Sequence, residues 1–113
     1  MRSVTALAAY RKSASHRTVR EQEADVFLRV NAVLRGARQG DSLSRARALA
    51  DNNRLWITLM DLMRDPDNAL PLDLRAALIS VGNTVQRENA AAEPDIGFLI
   101  GVNEQIAAGL SRA

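Results

Sequence analysis

Cysteine is missing altogether from the 113 residues. That removes a disulfide framework, a thiolate zinc site and a cysteine nucleophile, and it fits a reducing compartment such as the cytoplasm. Aromatics are scarce: one tryptophan, one tyrosine and two phenylalanines. Long apolar runs are lacking too. The nearest approach, Leu55 to Met63, is interrupted by Thr58 and Asp61 and falls far short of the roughly 20 residues a membrane span needs. The apolar stretch from Val4 to Tyr10 is followed by Arg11 and Lys12 rather than by a cleavage region, so neither an export signal nor a membrane partner is expected.

Catalytic equipment is also thin. The one histidine, His16, stands in a polar connector beside Ser13, Ser15 and Arg17. Nothing there orients it as the base of an activated nucleophile. The carboxylates have other work available: Asp41, Asp65, Asp67, Asp73 and Asp95 stand at helix starts or in turns. Glu21, Glu23 and Asp25 cluster where they complement a helix dipole. No pair combines with histidine at a metal-ligand spacing. Gly97 and Gly101 are separated by bulky residues with no lysine following, unlike a phosphate loop. The residues therefore predict a protein that is not an enzyme and carries no cofactor or metal.

Charge is present but uneven. Residues 1–40 hold eight basic side chains against three acidic ones, whereas residues 41–113 hold seven against ten. A basic end can bind RNA or an acidic surface, although such a run is more often simply solvated. Direct contact with nucleic acid is not expected. Tyr10 is the one ring near those basic residues, and no stacking platform or RNA-binding motif accompanies it.

Helical spacing fills most of the chain, and no run alternates with period two. A short helix is predicted from Ser3 to about Lys12, followed by a break. Thr18 and Glu21 read as a capping box. The helix it opens carries Phe27, Val30, Leu34 and Ala37, with Val26 and Val33 widening the stripe. Gly36 and Gly40 end it, the latter as a left-handed cap. The next helix starts at Asp41 or Ser42 and runs to about Arg64. Its stripe is Ala46, Leu49, Asn53, Trp56, Met60 and Met63, with Leu55, Leu59 and Leu62 beside it. Only Arg54, Thr58 and Asp61 form a polar edge, so this helix is predicted to be the enclosed centre of the fold.

Asp65-Pro66-Asp67-Asn68 reads as a turn, with Asn68 tolerating a left-handed conformation. Pro71 then opens a helix presenting Leu74, Leu78, Val81 and Val85, which fades across Asn89 to Glu93. After Pro94 a last helix carries Ile96, Leu99, Asn103, Ile106 and Leu110. The prediction is an all-α fold: one domain over residues 1–113, a small bundle of four main helices plus a short N-terminal one, with residues 1–17 as a basic segment. Phe27, Leu34, Leu49, Trp56, Met60, Leu78 and Ile106 are its expected core.

Two features within the stripes have alternative explanations. Asn53 and Asn103 interrupt apolar faces, so each needs a hydrogen-bond partner. They either fix helix register, as a buried asparagine does in coiled coils, or line a groove for a partner. The structural role is favoured. Gly97 and Gly101 share a face, read first as a site of close helix approach and second as a smooth groove wall.

Three segments, taken in order and spacing, resemble the FlaF family of flagellar regulators. The first is Asn53-Arg54-Leu55-Trp56-Ile57-Thr58. The second is Pro66-Asp67-Asn68-Ala69-Leu70-Pro71, followed by Leu74-Arg75-Ala76 and Leu78-Ile79-Ser80. The third is Val102-Asn103 with Ile106 and Gly109-Leu110. Tyr10 in its basic, weakly apolar surroundings is similar as well. Gly82-Asn83-Thr84 departs from the more apolar continuation expected of the family. The resemblance implies a cytoplasmic protein needed for flagellin production and filament assembly. It implies flagellin as a partner, bound by a secretion chaperone or adaptor acting with an FlbT-like regulator; the alternative is post-transcriptional control of flagellin through mRNA-associated complexes. On this resemblance Tyr10, Asn53, Arg54, Arg75 and Asn103 are the candidate partner contacts.

Overall fold

A computed structural model describes residues 24–112, which form four helices and no strand. Helix α1 covers residues 24–38 of the described chain, α2 Ser42–Arg64, α3 Leu72–Asn89 and α4 Ile96–Arg112. The chain is thus the expected all-α bundle. The short helix predicted from Ser3, the capping box at Thr18, and Tyr10 and His16 lie outside the described residues.

The helix ends have local causes. Asp41 caps α2, its Oδ1 accepting from the Ser44 backbone N–H at 2.8 Å. Asp95 does the same for α4, accepting from Phe98 N–H at 3.0 Å. Pro71 stands at the N-cap of α3, one position earlier than the first helical turn expected for it, with φ −53°. The expected left-handed conformations at Gly40 and Asn68 do not occur, since no described residue has a positive φ. Hydrogen bonds close these turns instead. Gly40 N–H donates to the Ala37 carbonyl at 3.0 Å. Asn68 Nδ2 donates to the Leu62 carbonyl at 2.8 Å while its Oδ1 accepts from Leu70 N–H at 2.9 Å. Gly36 ends nothing and lies within α1.

The core gathers Ala24, Phe27, Leu34 and Ala37 from α1, Ala48 and Trp56 from α2, Val85 from α3, and Ile96, Leu99, Ile100 and Ala107 from α4. Phe27 meets Trp56 edge to face, ring centroids 5.9 Å apart at 80°, a preferred aromatic geometry. Phe27, Leu34, Trp56 and Met60 are buried as predicted, whereas Leu49 and Ile106 are half-buried at the core's edge. Leu78 is half-buried outside that cluster.

The buried stripe of α2 is rotated from the predicted one. It runs Ala48, Asn52, Trp56, Met60 and Met63, while Ala46 is exposed and Asn53 half-buried. The cause is which flank is covered. Asn52 is engaged by α4, whereas Asn53 looks into an open cleft towards α3. Nor is α2 wholly enclosed, because Ile57 and Leu62 are exposed.

α3 lies along α2 through an unusual joint. Gly82 is buried, and a Cβ there would stand 2.6 Å from Met60 Sδ and 2.7 Å from its Cγ. Gly82 is thus a notch for the Met60 thioether. By contrast, Gly101 has nothing within 4 Å of a would-be Cβ, and at Gly97 the nearest atom is an Arg38 guanidinium nitrogen at 3.1 Å. The expected close helix approach at these two glycines is absent.

Candidate functional site

Each helix contributes one asparagine to a layer across the bundle: Asn31, Asn52, Asn89 and Asn103. Asn31, Asn52 and Asn103 have no exposed surface. Asn103 is the hub. Its Oδ1 accepts from Trp56 Nε1 at 2.8 Å, and its Nδ2 donates to Asn31 Oδ1 at 3.0 Å and to Asn52 Oδ1 at 2.7 Å. Asn31 Nδ2 then donates to the Ile100 carbonyl at 3.1 Å, and Asn52 Nδ2 to Asn89 Oδ1 at 3.3 Å. Burying an unpaired amide costs about 1–3 kcal/mol, so this pairing is what lets the core hold three of them. A helix shifted by one turn would break the layer, so it fixes register among four helices.

The layer ends at half-buried Asn89, whose Nδ2 is buried without a partner among the described residues. Beside it an open cleft of about 190 Å³ is lined by Leu49, Ala50, Asn53, Gln86, Asn89 and Ala90.

A second surface comes from the predicted apolar stripe Leu74, Leu78, Val81 and Val85, of which Leu78 is expected in the core. It is core only at Val85; Val81 is 36% exposed and Leu74 45%. For Leu74 the physical reason is that α3 outruns its neighbour. Gly82 rests on Met60, leaving ten residues of α3 before that joint and only four of α2 beyond it. At 1.5 Å per residue α3 overhangs by roughly 9 Å. The overhang and the loop before it expose Leu70, Leu72 and Leu74.

The five predicted contact residues therefore part company. Asn53 lines the cleft. Arg54 lies on the exposed edge expected for it, with Thr58 and Asp61, and pairs with Asp51 at 3.2 Å. Arg75 is turned inward: its Nη1 donates to the carbonyls of Asp65 at 2.8 Å and Met63 at 3.5 Å, holding the end of α2. Asn103 is fully buried and engaged within the chain, so it is a structural hub and not a surface contact. Tyr10 lies outside the described residues. Asn31 and Asn52 were missed, although both follow the spacing of their neighbours: Asn31 falls between Phe27 and Leu34, and Asn52 four residues before Trp56.

Among the described residues no group of three or more potential metal ligands occurs, and no helix is long and apolar enough to cross a membrane. Fold and surface define a small helical-bundle protein with a polar layer inside and an apolar stripe that leaves the core. The family model for the flagellar protein FlaF matches residues 6–110, and the chain belongs to that family. No curated protein and no solved structure matches it.

Proposed function

We propose that this chain is a cytoplasmic flagellin-binding adaptor, or secretion chaperone, that promotes flagellin synthesis and filament assembly together with an FlbT-like regulator. Membership of a flagellar family supplies the setting. The observation that carries the reading is the emerging stripe of α3. Leu74 and Val81 follow one helical face and are 45% and 36% exposed, with Leu78 half-buried between them. Apolar anchors at that spacing suit an amphipathic helix laid alongside. The protein acts by binding, without catalysis.

Size-exclusion chromatography of this protein with purified flagellin, with and without FlbT, tests the reading. Co-elution without FlbT is expected, with affinity that changes little with salt. Leu74→Asp combined with Val81→Asp should weaken binding by about tenfold or more, since apolar anchors carry most of such an interface. No co-elution under any condition would sink the proposal. Retention of flagellin mRNA instead, lost steeply as salt rises, would favour the regulator acting on RNA.

A further inference from the structure

The asparagine layer has a direction, and that direction leaves a donor over. An indole N–H can only donate, so Asn103 must turn its Oδ1 to Trp56 and its Nδ2 onward. One branch closes, because Asn31 Nδ2 ends on the Ile100 carbonyl. The other does not. Asn89 Oδ1 is taken by Asn52, and Asn89 Nδ2 is buried with no acceptor among the described residues. Turning the Asn89 amide over offers no cure, since two NH₂ groups would then face each other. A buried donor of this kind at the edge of a cleft can be met by an acceptor that enters the cleft.

The cleft beside Asn89 indicates which acceptor. Its volume of about 190 Å³ is below the roughly 300 Å³ at which pockets for cofactor-sized ligands begin. No charged side chain lines it, so a phosphate or carboxylate would meet no cation there. Ala50 and Ala90 keep the walls low, and the amides of Asn53 and Gln86 can each donate and accept. Those groups match both halves of a peptide unit.

We propose that this cleft recognises the backbone of a partner polypeptide, one carbonyl oxygen of which accepts from Asn89 Nδ2. The partner meant is flagellin, so the inference rests on the reading above and adds a second contact point to it. Along α3, Gln86 lies twelve residues from Leu74, roughly 18 Å at 1.5 Å per residue. A bound segment of flagellin would therefore be held at both ends of α3.

The test is titration of the full chain with purified flagellin monomer, read by calorimetry and by the side-chain amide signals of Asn89. The expected result is a shift of those signals on saturation. Ala50→Leu or Ala90→Leu, which fill the cleft from exposed positions, should weaken binding by about tenfold without lowering the melting temperature. Two variants from opposite walls of the cleft guard against one that misfolds. Unmoved Asn89 signals at saturation, or full affinity in both folded variants, would overturn the inference while leaving flagellin binding intact. Failure of the unaltered chain to bind flagellin would remove the functional reading and this inference with it.

Discussion

Trp56 is held by two unlike contacts, the edge of Phe27 on its ring and the amide oxygen of Asn103 on its Nε1. They can be separated by substitution. Trp56→Ala removes both and opens a cavity, and should cost about 3–5 kcal/mol. Trp56→Phe keeps most of the ring but leaves Asn103 Oδ1 without its donor, a loss of about 1–3 kcal/mol. Chemical denaturation of the two variants checks this pair. A Phe variant as stable as the parent would show that the hydrogen bond adds nothing to the fold. Arg54 is a contrasting case: its side chain is 77% exposed and its pair with Asp51 is an i, i+3 surface pair. Replacing it should hardly move stability, because such pairs are worth little.

At the scale of elements, the decisive joint is α2 against α3. Gly82→Ala would usually favour a helix by about 1 kcal/mol, yet here the new Cβ stands 2.6 Å from Met60 Sδ. Overpacking of that kind costs about 1–3 kcal/mol, so net destabilisation is expected. Combined with Met60→Ala, which clears the sulfur, Gly82→Ala should become neutral or favourable. A double-mutant cycle showing simple additivity would contradict the notch. The start of α2 should respond to acid. The Ser44 backbone N–H, and then the Ser44 hydroxyl, hold the Asp41 carboxyl below its ordinary pKa. Its folded value therefore lies under its unfolded one, so the stabilisation is present above about pH 4 and is lost as pH falls through the folded value. Asp41→Asn caps without taking up a proton. Its melting temperature should fall less steeply below about pH 4 than the parent's.

For the whole molecule, the sequence shows how many helices there are better than how they face one another. The breaks at Asp41, Asp65 to Pro71 and Pro94 are written in capping and turn residues, and the helices start and stop there. Rotation about each helix axis is not. Leu49 and Asn52, seven and four residues before Trp56, fall on opposite flanks of its helix face, and only the position of α4 decides that Asn52 is the one buried. The same uncertainty concealed the polar layer, since asparagine on a stripe reads as an interruption until the other three are seen at the same height. Gly82 is opaque in the sequence for a similar reason: its purpose resides in Met60. What the sequence could not convey was where the stripe ceases to be core, because the overhang of α3 depends on where α2 ends.

The notch at Gly82 also has a chemical consequence. Met60 is 1% exposed, with its sulfur pressed into the space a Cβ would fill. A sulfoxide oxygen has no room there while the two helices remain together, and a polar sulfoxide would not be readmitted once formed. Oxidation by peroxide should therefore proceed at Met60 only through moments when α3 lifts from α2, and it should trap the lifted form. Mass-spectrometric timing of oxygen uptake at Met60 would then serve as a clock for that opening. Uptake as fast as in an unfolded peptide would mean that the sulfur is not enclosed.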